Sequence, residues 1–325
     1  MSALALKGPH WVTARQHRRA LWWSLGLATV AVAVLVASRM WSDGAVDALR
    51  TAGCPVNGST SSCFQVQRDY IDDRWFARHL VEYTAMGMLV LPVLPVLLGA
   101  FVAGPMLARE LESGTYRLAW TQSVSPARWL AAKLSAPAAL TLAIVPLLSL
   151  VFYWSWSTGP ADDFPTYWYE PTMFVSFGIV PVAHALLGLA LGTAIGVLTR
   201  RTVVAMGAAA LVIGAALAVL SRLRDGLWPV RTLTGTGLSA ENHAWPLDRG
   251  MLTASGERVL WKDCFAAQPD TFQRCMTDRG GVTEFLDIHP TSHYWPLQFV
   301  ETGICLALAA LAAYAAFRVL RTRHP

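Results

Sequence analysis

The stretch from Gly104 to Lys133 holds a dense set of side chains able to bind or pair: Arg109, Glu110, Glu112, Gly114, Thr115, Arg117, Trp120, Thr121, Gln122 and Arg128. Arg109 and Glu112 stand three apart, which on a helix makes a surface ion pair worth about 0.2–0.5 kcal/mol. Gly114 permits a left-handed helix cap, and Ser125 followed by Pro126 is a helix start signal. The expected order is helix, break, one or two turns over Tyr116 to Ser123, break, helix. A short surface helix rooted in two longer ones is suited to receiving a push from another protein. Plain ion pairing on a solvated face is the other reading.

Elsewhere the chemistry is sparse. Cys54 with Cys63 and Cys264 with Cys275 sit as two local pairs, the pattern of disulfides in an oxidising compartment. His289 and His293 follow Cys275 at an H-x3-H spacing, so a metal site competes, although structural zinc favours cysteines two to four residues apart. Cys305 reads as a small apolar packing residue. No phosphate-binding GxxxxGK[ST] loop, HExxH or GxSxG motif occurs, so no ATP cradle, zincin site or nucleophile elbow is encoded. A membrane enzyme using His243, His289 or His293, and a proton-driven transporter using His184 and Glu301, are the rival classes. The transporter would call for inverted repeats or several acids at mid-membrane.

These groups hang on apolar elements. Only 14% of the 325 residues are charged and 54% are hydrophobic, against about 25% charged in a soluble domain. Six windows nearly free of charge predict spans at about 20–38, 83–104, 134–157, 172–199, 202–221 and 296–317, each near the roughly 20 residues that cross about 30 Å of hydrocarbon. Apolar on every face, they predict an all-α membrane protein rather than a barrel of alternating strands. The window at 20–38 reads as a retained first helix rather than a cleaved signal. Gly8 to Arg19 before it is either a short interfacial helix or a basic tail.

Half of the 26 basic residues cluster at one set of span ends, including Arg18, Arg19, Arg109, Arg117, Arg128, Lys133, Arg200, Arg201, Arg318 and Arg321. Glu110 and Glu112 are the only acids there. The positive-inside rule makes that side cytosolic, with both termini on it and two larger extracytoplasmic loops at 39–82 and 222–295. Rich in Gly, Pro, Asp, Thr and Trp, the loops read as irregular, and the chain as one permease domain, 1–325, with a cytosolic segment at 105–133. A basic charge divided among span ends argues against nucleic acid as a partner; the lipid bilayer is the partner it does imply.

Inside the fourth window Gly188, Gly192 and Gly196 form a small-residue stripe for close helix packing, within the bundle or between two permeases. His184, a step earlier on that face, lies near mid-bilayer; it is either hydrogen-bonded and neutral or functional. Glu301, a turn inside the outer interface and within reach of Gln298, reads as structural, with proton or substrate binding the alternative. Pro92, Pro95, Pro137 and Pro146 predict kinks.

The string from Arg109 to Thr115, with Leu118 to Ser123, Arg128-Trp129-Leu130 and Lys133, resembles the cytosolic signature of ATP-binding-cassette permeases of the type-2 class. It is most similar to the actinobacterial variety, in keeping with only three lysines, Lys7, Lys133 and Lys262, among the basic residues. The aromatic entry Tyr294-Trp295-Pro296-Leu297-Gln298-Phe299 with Glu301 is a further likeness, from which His293-Tyr294 departs where Phe is expected. The resemblance spans the whole chain. It implies an exporter subunit, not itself an enzyme, in a bacterial cytoplasmic membrane. The segment after the second span would be the coupling helix that docks on a separate cytosolic ATPase. The chain would hold no cofactor, ATP and Mg residing on that ATPase, and would pair with a second permease copy or paralogue.

Overall fold

The computed structural model describes residues 18–55, 61–79, 90–121, 125–157, 167–241, 243–264 and 269–323. Most of the segment 8–19, the start of the second window at 83–89, and Gln122 and Ser123 lie outside them. Two compact units are present. The first takes in Met1–Phe164, Thr172–Ala218 and Thr302–Pro325; the second takes in Pro165–Pro171 and Val219–Glu301.

Among the described residues six helices are long and apolar enough to cross a membrane, as the windows predict. Helix α1 (Arg18–Thr51) runs well past its window. Ser38, Ser42, Ala45 and Leu49, buried at helical spacing, continue its packed stripe. Helix α2 (Phe64–His79) lies against it. The Ser38 hydroxyl donates to the Ala77 carbonyl at 2.9 Å, and Cys54 bonds to Cys63. The described part of loop 39–82, expected to be irregular, is thus largely a stapled helical hairpin.

The second span is α3 (Val90–Leu97), a π-helical turn over Leu98–Ala103, and α4 (Gly104–Ser113). Short α5 (Tyr116–Thr121) follows, then α6 (Pro126–Trp156), helical throughout despite Pro137 and Pro146. The fourth window is only partly helical. After α7 (Pro171–Phe174) the chain is irregular from Val175 to Ile179, with Gly178 at a φ of 87° that suits glycine, and α8 (Val180–Thr199) begins with Pro181 in its first turn. The irregular stretch is held by Phe177, buried between Phe152, Tyr153 and Trp156. Helix α9 (Thr202–Leu223) comes after α8 with two residues between, the first of which, Arg200, is left-handed at φ 53°. Helix α11 (Tyr294–Arg323) is the sixth span.

The glycine stripe of α8 is spent inside this chain. A side chain at Gly188 would meet Pro95 Cα at 2.8 Å, one at Gly192 would meet Gly99 Cα at 2.5 Å, and one at Gly196 would meet the Gly104 carbonyl oxygen at 2.5 Å. The two spans therefore run parallel with backbones touching, as small residues allow. On α8 the contacts advance by four and four residues; on the partner they advance by four and then five. At about 100° per residue an unbroken α-helix would turn Gly104 about 100° out of phase. The π-turn between Gly99 and Gly104 takes up the extra residue and returns Gly104 to the contact.

The second unit holds what composition did not foretell: a four-stranded antiparallel sheet in the order β1-β4-β2-β3. Its strands are β1 (Arg231–Gly235), β2 (Trp245–Thr253), β3 (Arg258–Leu260) and β4 (Gly281–His289). Central β4 buries Phe285 to His289. Gly250 of β2 leaves room for the Phe285 ring, which would lie 2.8 Å from an added Cβ. Helix α10 (Pro269–Asp278) packs Met276 near Val259 and is tied by the Cys264–Cys275 disulfide to the 3-10 turn Trp261–Cys264 that follows β3. The loop at 222–295, read as irregular, is therefore an ordered sheet unit. It is inserted between two spans of a membrane part that is all-α, as expected.

The backbone contact yields a prediction. Gly192→Leu overpacks it and lowers the melting temperature in detergent by more than about 5 °C, whereas Gly207→Leu, which meets nothing within 4 Å, changes it little. Deleting Phe101, exposed in the π-turn, leaves Gly104 in phase and the protein folded. An aggregated Phe101 deletion would refute the phasing role of the turn.

Candidate functional site

The segment after the second span is built as its residues suggest. Leu107, Ala108 and Leu111 bury one side of α4, leaving Arg109, Glu112 and Ser113 exposed. Gly114, at φ 73°, ends the helix left-handed. Its carbonyl accepts from the Arg117 N–H at 3.1 Å, and the Ser113 and Thr115 hydroxyls meet at 3.0 Å across the turn. Helix α5 is described through Thr121. Ser125 then accepts from the Arg128 N–H at 3.3 Å, capping α6, with Pro126 behind it.

What seats α5 is apolar. Tyr116 is buried, its ring 4.6 Å edge-on to Trp120, and Trp120 is edge-on to Trp129 at 6.2 Å. Leu107, Leu111, Leu130, Ala194, Val197, Ala316 and Leu320 complete the cluster. The short helix thus rests on the ends of α4, α6, α8 and α11, four of the six spans.

Both acids of this end are engaged within the chain. Glu110 Oε1 takes a hydrogen bond of 2.6 Å from Lys133 Nζ, whose side chain is 8% exposed. Glu112 Oε2 accepts from the backbone N–H of Thr202 at 2.9 Å and from its hydroxyl at 2.7 Å. The carboxylate of one span thereby caps the N-terminus of α9, where helix-end donors and dipole favour a negative charge. The expected Arg109–Glu112 ion pair is not made. Arg109, Arg117 and Arg128 are exposed and have no ion pair among the described residues. Sequence reasoning missed Thr202 as a partner. Its signal was a Thr opening a helix after Arg200 and Arg201, but nothing local links it to a residue 90 positions earlier.

The intramembrane polar residues are also placed. His184 is buried in the second turn of α8, nearer that helix's start than the middle, because the helix begins at Val180 rather than at 172. Glu301 is fully buried. Within the second unit its two oxygens accept from Arg224 Nε at 2.8 Å and Nη2 at 3.0 Å, the Arg224 side chain being 2% exposed. The pair joins the end of α9 to α11. The next residue, Asp225, offers its carbonyl to His289 Nε2 at 2.9 Å. A carbonyl only accepts, so that nitrogen carries the hydrogen. His289 Nδ1 then accepts from His293 Nδ1–H at 3.0 Å. No group of three or more metal-ligating side chains occurs among the described residues.

Six apolar helices, the second and fourth of them in backbone contact, with an aromatic-seated short helix on the ends of four of them, define a multi-pass membrane protein. Residues 25–224 match the family described as ABC-2 membrane transporter related. The chain belongs to that family and is an ABC-2 type permease, a transport subunit. No curated protein and no solved structure matches it.

The buried pair is open to test by thermal melting in detergent. Glu301→Leu or Arg224→Met alone strands a desolvated charge or its donors and costs about 3–5 kcal/mol. Arg224→Met combined with Glu301→Leu costs clearly less than the two single losses summed. Strict additivity would show that the two groups do not stabilise one another.

Proposed function

We propose that this chain is the membrane-spanning subunit of an ATP-driven exporter in a bacterial cytoplasmic membrane, working as a dimer with a second permease and two cytosolic ATPase subunits. The observation that carries the reading is α5, a short helix rigidly seated on the ends of four spans. A motor that pushes on it moves those spans together. The arginine-rich end faces the cytosol with both termini. The two disulfides lie on the oxidising side. ATP and Mg are held by the ATPase, and this chain supplies the mechanical link and the pathway. The Gly114 turn and the apolar seat of Tyr116 make that link stiff.

Purification of the tagged chain from native membranes in mild detergent, assayed for ATP hydrolysis, tests this. An ATPase is expected to accompany the wild type. Gly114→Val, forced into a left-handed conformation that disfavours a β-branched residue, keeps the partner bound but lowers transport-linked hydrolysis at least about fivefold. Folded wild type from native membranes with no ATPase attached would sink the reading. Orientation is checked separately: a cysteine in place of Ser113 should react with membrane-impermeant maleimide only after the cells are opened.

A further inference from the structure

The H-x3-H spacing of His289 and His293 stands beside Cys264 and Cys275 in the sequence, and the structure leaves only the imidazoles as metal ligands, because the cysteines are joined in a disulfide. The two Nδ1 atoms lie 3.0 Å apart. His289 closes β4 and is fully buried, whereas His293 ends the 3-10 turn Thr291–His293, just before α11, and is half-buried. The turn is closed by backbone, the His293 N–H donating to the Pro290 carbonyl at 2.9 Å. The rings are therefore brought together by the fold of the chain and not by their own contact alone.

A metal-binding histidine gives the ring N–H that faces away from the ion to a carbonyl or carboxylate, which fixes the tautomer and aims the other nitrogen. His289 has that arrangement: Nε2–H donates to the Asp225 carbonyl at 2.9 Å, and the Nδ1 lone pair is directed at His293. For an ion to take the place of the shared hydrogen, His293 has only to move its hydrogen from Nδ1 to Nε2, a change of tautomer that releases no net proton. The distance selects the ion. With bonds of about 2.0–2.1 Å to imidazole nitrogen, two nitrogens 3.0 Å apart subtend about 94° at the metal. A tetrahedral ion, at about 109°, needs them about 3.3 Å apart. A square-planar or tetragonal ion takes two neighbouring ligands near a right angle, and Cu(II), which suits imidazole and binds most tightly of the first-row divalent ions, has that geometry. Arg231, the cation whose charge reaches His293, is itself ion-paired with Glu241 at 3.4 Å.

We propose that His289 and His293 bind Cu(II) through their Nδ1 atoms at the junction of β4 and α11. No third side-chain ligand joins them among the described residues, so water completes the shell and the affinity is modest. The ion closes the turn between the two histidines. Through the Asp225 carbonyl on His289 it also secures the turn after α9, a second tie beside the Arg224–Glu301 pair. The site stands on side-chain geometry within the second unit; that the ion arrives from outside the cell rests on the orientation proposed above.

The test titrates the full-length chain, purified in detergent with a tag free of histidine, with CuCl2. One equivalent should bind, and its electron spin-echo spectrum should show the remote nitrogens of two imidazoles. Saturation should raise the melting temperature by at least about 3 °C. His293→Gln leaves the bond from His289 to Asp225 in place, so it reads the site without disturbing that tie, and it should weaken binding at least about tenfold. His243→Gln, outside the pair, should bind like the wild type. A wild type that takes up no Cu(II) below about 100 μM overturns the proposal. So does uptake that His293→Gln leaves unchanged, which would be an adventitious ion only, held by other histidines. A bound ion that shows one imidazole or none refutes the paired site even if the affinity is high. None of these outcomes bears on the exporter reading, which is decided by whether an ATPase accompanies the chain.

Discussion

The contact between the second and fourth spans sets the rest of the membrane part. Two helices whose backbones touch have no side-chain cushion between them, so their relative rotation is fixed by hard contact rather than by adaptable packing. Gly188, Gly192 and Gly196 supply one side and Pro95, Gly99 and Gly104 the other. The π-turn over Leu98–Ala103 is needed because those two sets of positions have different spacings. Helix α4, which begins at Gly104, inherits the orientation set there. Leu107 and Leu111 reach the cluster under α5 only because Gly104 has been brought back into register. A phase error in mid-membrane would reappear as a misplaced surface helix.

Charge serves three different ends in this chain. At the ends of the spans, carboxylates act as tethers. Glu110 holds Lys133 across 23 residues and Glu112 holds the start of α9 across 90, joining three spans near their tips. In the second unit Arg224 and Glu301 are withdrawn from water as a bidentate pair, an arrangement whose desolvation cost is offset only by good geometry and so favours a single conformation. The third use is exposure: Arg109, Arg117 and Arg128 make no ion pair among the described residues, and Arg117 lies over the Tyr116 ring at 6.0 Å. Stability alone accounts for the first use and not for the last, which follows the positive-inside rule for span ends.

Span number and helical class were legible because burial in lipid demands long, uniformly apolar helices, and few sequences satisfy that by accident. The α4–α5–α6 breaks were legible because Gly114, Ser125 and Pro126 act within one turn of themselves. The helix break before α8 was not, since hydropathy is blind to whether an apolar residue such as Phe177 is helical; Gly178 and Pro181 held that signal. The sheet was hidden by turn-rich composition. Its strands were written in short β-branched and aromatic runs, Thr232-Leu233-Thr234 and Val282 to Ile288, with central β4 too buried to alternate cleanly. The ladder Arg231↔Ile288 spans 57 positions, a pairing that local pattern does not encode.

The partners of Glu112 and Glu301 illustrate a sharper limit. Each acid was singled out from its type and place alone, yet what it does depends on a group far along the chain. For Glu301 a clue existed: an acid within a sixth apolar window and Arg224 just beyond the fifth are opposite charges at adjoining ends of antiparallel elements. For Glu112 the acceptor geometry is decisive. A helix N-terminus has donors whatever its sequence, so a carboxylate can cap it without any complementary residue to betray the pairing. Any displacement of the α4–α5 turn must then stretch a charge-assisted hydrogen bond or carry α9 with it. The cap therefore ties the turn to the fifth span as well as to the four beneath α5.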